Sequence, residues 1–346
     1  MRLRRGATLL VSAGLVLAGC TTGPVAPPDN PTSAVPPTVR TAPSSSASPA
    51  SSAPPASPSS SRTPDPTPSA RRTPSAEPAR FDARRAVHDI ELVAEGIGPR
   101  EATSRDFARA ADLVAERFDD LGYQVRRTSV RVPAGSSWGV PVRRGTSQNI
   151  LAEPPDFDAA EDHVVIGAHL DTVAVSPGAE DNASGVAVLL ELARLLRRTA
   201  PELPVQLIAF GAEEPRGRGD AWHHFGSQQL VADLSRAERR GIVAMVSLDR
   251  VGVRASYVPV CRAGAEGMGL RADLRRAGRR AGVPTRPCQN TSSDHWSYQK
   301  AGIPAVRIGS VPYPGYHSPG DVVAGIDRRQ VDRVGRLMWS WLSDLD

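Results

Sequence analysis

Lysine is nearly missing from this chain: among 346 residues there are 42 basic side chains, and Lys300 is the only lysine. A Walker-type phosphate loop needs a lysine behind its glycines and Schiff-base chemistry needs one in a pocket, so both function classes lose their essential group. A basic surplus is also missing where it would count. Residues 1–80 carry 8 arginines and 3 acidic residues, which leaves 34 basic and 34 acidic residues beyond them, so the net charge of +5 belongs to the first part of the chain. Without a basic face, nucleic-acid binding has no electrostatic footprint. The apolar run at the start reaches only from Ala7 to Ala18, too few residues for a stable membrane-spanning helix. Cysteine is limited to Cys20, Cys261 and Cys288.

Ahead of that apolar run stand Arg2, Arg4 and Arg5, the layout of a secretory signal. The run closes on Leu17-Ala18-Gly19-Cys20, which resembles the bacterial lipobox. The resemblance implies cleavage before Cys20, lipidation of that cysteine, and an exported protein anchored to the outer face of the cell membrane. An ordinary signal cut nearby would instead leave Cys20 free, and Arg4-Arg5 keeps both the Sec and the twin-arginine routes open. Residues 21–80 hold 16 of the 32 prolines and few large apolar residues. Burial cannot offset the ordering entropy of such a segment, so it is expected to be a disordered, semi-flexible stalk. Residues 81–346 are then the folded domain. In an exported domain the remaining Cys261 and Cys288 are expected to pair, the alternative being two separate buried thiols.

From residue 81 onward, strand-like and helix-like segments alternate, which argues for an α/β domain with a largely parallel sheet. Phe107, Ala111, Val114 and Phe118 have helical spacing and Gly122 follows as a stop. A strand is expected over Gln124 to Val132. Short runs at Asn149 to Ala152, His163 to Ala168, Val205 to Phe210, Ile242 to Leu248 and Ala305 to Ile308 read as buried strands. Val186 to Leu196 reads as a core helix, and Val331, Val334, Met338, Trp341 and Leu345 as a closing amphipathic one.

The residues just after those strands are the informative ones. His163 to Ala168 runs into His169 and Asp171, Val205 to Phe210 into Glu213-Glu214, Ile242 to Leu248 into Asp249, and Ala305 to Ile308 leads through a loop to Tyr316-His317. Open α/β sheets bind ligands at the carboxyl ends of their strands, so these groups are expected in one crevice. Asp181, ahead of the core helix, adds a fifth donor to His169, Glu214, Asp249 and His317. Mixed imidazole and carboxylate donors suit zinc, and five exceed the three that a single catalytic zinc takes from its protein. A carboxylate bridging two ions would account for the surplus.

Gly167-Ala168-His169-Leu170-Asp171-Thr172, Pro177 through Gly185, Ala212-Glu213-Glu214, Ser247-Leu248-Asp249 and Tyr316-His317-Ser318 together resemble the ordered motifs of the two-zinc aminopeptidases of metallopeptidase family 28. The resemblance covers residues 81–346. It implies a three-layer α/β sandwich of the zinc-dependent exopeptidase type around a mostly parallel mixed sheet. It also implies two Zn2+ ions per chain, with His169 and Asp249 on one, Glu214 and His317 on the other, and Asp181 between them. Glu213 would be the general base acting on a metal-activated water, Asp171 the partner that orients His169, and Tyr316 a donor to the oxyanion. The Asp181-Asn182 peptide would be cis. The implied substrates are peptides cut at their N-terminal bond, outside the cytoplasm; nothing in the sequence sets an oligomeric state.

Several positions depart from that pattern or mimic another. Arg250 stands where the family usually has methionine, Ser292 occupies the place where some members have an arginine, and Pro215 to Phe225 is a longer loop than compact members carry. His223 and His224 in that loop read as solvated rim residues. Asp294-His295 reads as structural or substrate-facing. Gly135-Ser136-Ser137-Trp138-Gly139 fits the nucleophile elbow G-x-S-x-G, but that elbow needs a helix after its serine; Val140-Pro141-Val142 follows, so a hairpin-like loop is expected. A one-zinc glutaminyl-cyclase-type enzyme is the rival on the same fold. The long loop favours it, while Asp181-Asn182 in place of Asp-Ser and Tyr316 in place of tryptophan speak against it. A non-catalytic binding lipoprotein is a further alternative, against which stands the complete set of ligands and base.

Overall fold

The computed structural model describes residues 79–345. The signal, Cys20 and nearly all of the expected stalk lie outside the described residues. Two helices open the domain: α1 (Ala83–Ala94), capped by the Asp82 carboxylate, and α2 (Arg105–Asp120), capped by Ser104, which accepts the Phe107 N–H at 3.0 Å. Each cap satisfies N–H groups that a helix start leaves without partners. β1 (Gln124–Val132) runs to a hairpin of β2 (Gly135–Ser137) and β3 (Val140–Val142), then β4 (Gly145–Glu153) pairs antiparallel with β1. The G-x-S-x-G stretch is therefore a hairpin, and Ser137 is buried with its Oγ accepting the Ala174 N–H at 2.9 Å.

The remaining chain alternates: β5 (His163–His169), α3 (Ser184–Leu196), β6 (Val205–Phe210), α4 (Phe225–Asp233), α5 (Arg236–Gly241) and β7 (Ile242–Asp249). β8 (Val258–Arg262), α6 (Met268–Arg280), β9 (Thr285–Gln289), α7 (His295–Lys300), β10 (Ala305–Gly309) and α8 (Arg328–Leu342) complete it. Eight strands form one sheet in the order β1-β4-β6-β5-β7-β10-β8-β9. The four central strands, β6-β5-β7-β10, are mutually parallel, while β1, β4 and β8 join antiparallel, so the sheet is mixed. At the far edge β9 pairs parallel to β8 and puts Cys261 opposite Cys288, which form a disulfide with Cα atoms 4.4 Å apart.

Strand alternation explains the layers. Val164, Ile166 and Ala168 of β5 face a core shared with α1, α2, α3, α6 and α8, while Val165 faces the other side with Ile208, Met245, Leu230 and Tyr298, covered by α4 and α7. Both faces of the parallel strands are thus buried, as their unbroken apolar runs require. α3 is buried along nearly its whole length. Among the described residues, no helix is long and apolar enough to cross a membrane.

Candidate metal centre

Four adjacent parallel strands aim their carboxyl ends at one spot. His169 ends β5, Asp249 ends β7, Glu213 and Glu214 follow β6, and His317 lies in the loop after β10. Asp181 sits in the turn ahead of α3. His169 Nε2 lies 3.2 Å from Asp181 Oδ1 and 3.7 Å from Asp249 Oδ1. His317 Nε2 lies 3.3 Å from Asp181 Oδ2 and 3.1 Å from Glu214 Oε2. Asp181 therefore offers one oxygen to each histidine. Two sets of donor atoms share Asp181, His169 with Asp181 and Asp249, and Asp181 with Glu214 and His317, each within 4.8 Å; a third set at the same spacing joins His169 with Glu213 and Glu214. Glu213 faces the centre from the side, with Oε2 3.9 Å from His169 Nε2.

The surrounding chain fixes these groups through the backbone. The Asp171 carboxylate accepts the N–H of Glu213 at 2.9 Å and of Glu214 at 3.1 Å, so it aims the Glu-Glu pair. His169 Nδ1 meets the Asp171 carbonyl at 3.2 Å and its carboxylate only at 3.8 Å. Asp171, expected to orient His169, touches it chiefly through its main chain. The Asp181 turn is held from three sides. Asp321 accepts the N–H groups of Glu180 and Asp181 at 2.8 and 3.0 Å. Asn182, joined to Asp181 by a cis peptide, donates to the Leu248 carbonyl at 2.9 Å. The fully buried Arg100 donates to the carbonyls of Leu170, Pro177 and Gly178 at 2.7, 2.6 and 3.0 Å. Gly178 sits at φ +61°, and a Cβ there would run into Thr172 and the Asp181 carbonyl, so glycine is the residue this turn accepts.

Carboxyl groups crowd the centre. Asp181, Glu213, Glu214 and Asp249 are all buried. Burial, reinforced by the neighbouring aspartates, pushes Glu213 up to about 8, and burial with Asp181 does the same for Glu214. Burial would lower His317, but the Glu214 and Asp181 carboxylates raise it to about 10. Arg307, fully buried on β10, places Nη2 2.8 Å from Asp249 Oδ1 and overcomes burial to hold that carboxyl well below its usual range. Glu214 Oε1 has no hydrogen-bond partner. Anions so crowded and removed from water call for cations, and the imidazole and carboxylate donors match zinc. The residues therefore fit zinc, with Asp181 able to serve both donor sets.

All five expected ligands, together with Glu213 and Asp171, meet here. Tyr316 is partly exposed beside them; its ring stacks on His317 with centroids 3.7 Å apart, and the Arg250 guanidinium lies over the Tyr316 ring, 4.3 Å from its centroid. Arg250 is no free wall charge, since its Nη2 also donates to Ser310 Oγ at 2.8 Å. Asp294 is fully buried, and burial with the Glu213 charge pushes it up to about 7. His224 departs from expectation. Far from being a solvated rim residue, it is 2% exposed, and its Nε2 lies 3.0 Å from Glu213 Oε1. His223, half-buried, touches His224 Nδ1 at 2.8 Å. Arg307, Arg100 and Asp321 also escaped the sequence reading. The charge of Arg307 within the apolar run Ala305 to Ile308 was its one available signal, because an arginine buried in a strand requires a partner.

The amino-acid comparisons agree with this geometry. Aminopeptidase YwaD of Bacillus subtilis is 33% identical over 204 residues, covering 56% of this chain and 43% of that protein. Protein YfbL of Escherichia coli is 34% identical over 173 residues, 47% of this chain and 48% of its own length. The chain thus spans about half the length of these relatives. Among solved structures, BSAP, a zinc aminopeptidase from Bacillus subtilis, superposes with a TM-score of 0.66 at 22% identity, covering 75% of this chain and 94% of that one. A glutaminyl cyclase from Bacteroides thetaiotaomicron does so with a TM-score of 0.66 at 21% identity, covering 78% and 100%. Likenesses this distant in sequence establish the fold alone. The model of peptidase family M28 matches residues 149–342, more than half of the chain and the whole of the donor set from His169 to His317, so this protein belongs to peptidase family M28.

Proposed function

We propose that this protein is an exported two-zinc aminopeptidase that hydrolyses the N-terminal peptide bond of peptides. The observation that carries the reading is the pair of donor sets sharing Asp181, with Glu213 beside both and bound to neither histidine as closely as the other carboxylates are. Bound zinc would supply Lewis acidity to the scissile carbonyl and acidify a water. His169 and Asp249 would hold one ion, Glu214 and His317 the other, and Asp181 both. Glu213, with its proton affinity raised by burial, takes a proton from the attacking water and returns it to the leaving amine. Tyr316, whose ring stacks on His317, would donate its hydroxyl to the developing oxyanion. Asp171 keeps Glu213 and Glu214 aimed through their backbone N–H groups.

The address is part of the proposal: residues 1–20 as a lipoprotein signal, Cys20 as the lipid anchor, and residues 21–80 as the stalk. The Cys261–Cys288 disulfide fits an oxidising compartment outside the cytoplasm. A glutaminyl-cyclase activity is the second reading, favoured by the loop from Pro215 to Phe225 and by structural neighbours of that name. Metal quantification joined to a screen of aminoacyl chromogenic substrates tests the first, with two zinc ions per chain and release of chromophore expected. A peptide beginning with glutamine separates the two: free glutamine indicates the peptidase, and an intact peptide lighter by one ammonia indicates the cyclase.

A further inference from the structure

The loop between Glu214 and α4 does more than bridge two elements. It closes on its own origin: the His224 N–H donates to the Glu213 carbonyl and the Phe225 N–H to the Ala212 carbonyl, both at 2.8 Å. Gln228 Nε2 donates to the His223 carbonyl at 2.6 Å and ties the end of the loop to the first turns of α4. His224 takes up a left-handed backbone conformation at φ 57°, which turns its ring inward instead of continuing the helix. The ring then lies buried, with Nε2 3.0 Å from Glu213 Oε1.

The protons on this chain of groups can be placed by elimination. An ionised Glu213 carboxylate only accepts hydrogen bonds, so the His224 Nε2 facing it carries the proton. A neutral imidazole then leaves His224 Nδ1 as an acceptor, and His223 Nδ1, 2.8 Å away, is the donor to it. Each contact fixes the next. His223 sets the tautomer of His224, and His224 occupies Oε1 of Glu213, which leaves Oε2, the oxygen on the His169 side, for the reacting water. A glutamate side chain has three rotatable bonds, and a base that wanders by an ångström loses much of its rate advantage.

We propose that His224 is the positioning residue of the general base, holding the Glu213 carboxylate through Nε2, with His223 selecting the tautomer that lets it do so. This assignment rests on the reading of Glu213 as the base. It concerns the long loop of this chain and gives that loop a task at the reacting centre.

The test compares variants of the zinc-loaded protein on an aminoacyl chromogenic substrate. Asn tolerates a left-handed backbone and is too short to reach Glu213, so His224→Asn removes the contact with little backbone cost. Its kcat should fall about 10- to 100-fold with KM and zinc content unchanged, in the range expected for groups that orient a catalytic residue. His224→Gln, which can present an amide N–H near the position of Nε2, should recover part of that loss, and His223→Phe should lose less than His224→Asn. The decisive measurement is the double variant. If His224 acts through Glu213, adding His224→Asn to Glu213→Gln should cost nothing further. A full additional loss in that background overturns the assignment while leaving Glu213 as the base. Unchanged activity in Glu213→Gln alone overturns the base and this proposal together. Should His224→Asn fail to fold, His224→Gly, which accepts the left-handed backbone and lacks the ring, carries the same comparison: wild-type kcat there would refute the positioning role.

Discussion

At the scale of single residues, Glu213 and Glu214 are neighbours with separate tasks. Glu213→Gln should keep zinc, fold and peptide affinity and lose about 10²- to 10⁴-fold in kcat; a variant close to wild type would disprove the mechanism. Glu214→Gln should weaken zinc uptake, and added zinc should restore part of its activity. The same two groups make the metal-free protein sensitive to pH. Both are raised to about 8 in the fold, so the unfolded chain gives up their protons at lower pH than the folded one does. Their contribution to stability is complete below the ordinary glutamate range and is lost as pH rises toward 8. Asp181 and Asp249 act in the opposite sense: their carboxyls are held below the usual value by the histidines and, for Asp249, by Arg307, against the burial that would raise them. Their contribution is lost only as pH falls below the ordinary aspartate range. Buried His224 and His295, whose imidazoles burial lowers to about 4 and about 3, oppose this trend below the ordinary histidine range, so chelated protein should melt at progressively lower temperature between about pH 6.5 and pH 8, a trend that zinc suppresses; a flat or rising melting curve across that window would contradict it.

At the scale of elements, the turn that carries Asp181 depends on a side chain 140 residues away, since Asp321 accepts the N–H groups of Glu180 and Asp181. Asp321→Asn sets an amide NH2 donor against one of those N–H donors, so zinc affinity should drop about 10- to 100-fold, read by competition with a chromogenic chelator; unaltered affinity would show that the turn does not depend on Asp321. The edge pair β8-β9 is braced by a disulfide closing 27 residues of sequence. Replacing both cysteines by serine should cost about 2 to 4 kcal/mol of unfolding free energy without releasing zinc, checked by denaturant titration and metal analysis. The elements differ in how plainly the sequence announces them. β5, β6, β7 and β10 are legible because strands buried on both faces are continuous apolar runs, and the ligands are legible because each follows such a run. β8 and β9 escape notice: Pro259 and Pro287 interrupt them, and proline is a mark against a strand. His224 is illegible for a different reason. Its neighbours in the loop, Arg216, Arg218, Asp220 and His223, suggest solvent, and only the closure of the loop on Glu213 buries it.

At the scale of the whole molecule, residues 79–345 contain every strand of the sheet and every group of the metal centre. A chain starting near residue 77 should therefore fold and cleave aminoacyl substrates with the kcat of the longer protein, differing, on the proposed address, only in membrane partitioning; loss of zinc binding on that truncation would assign the first residues a role in the site. Zinc itself should stabilise the domain by an amount set by mass action, about 2.7 kcal/mol when free metal exceeds its dissociation constant a hundredfold, measured as a concentration-dependent melting temperature. The donors are spread widely along the chain, from His169 to His317, on four strands that are neighbours in space. One consequence concerns when the enzyme can first act. A ribosome that has released the chain through Asp249 has made the base and four of the five donors, yet β10 and His317 have still to emerge, and β7 has no partner on that side. On the proposed function, hydrolytic power thus arrives only with the segment that carries His317, and a chain clipped before that point would be an inert fragment instead of an unregulated peptidase.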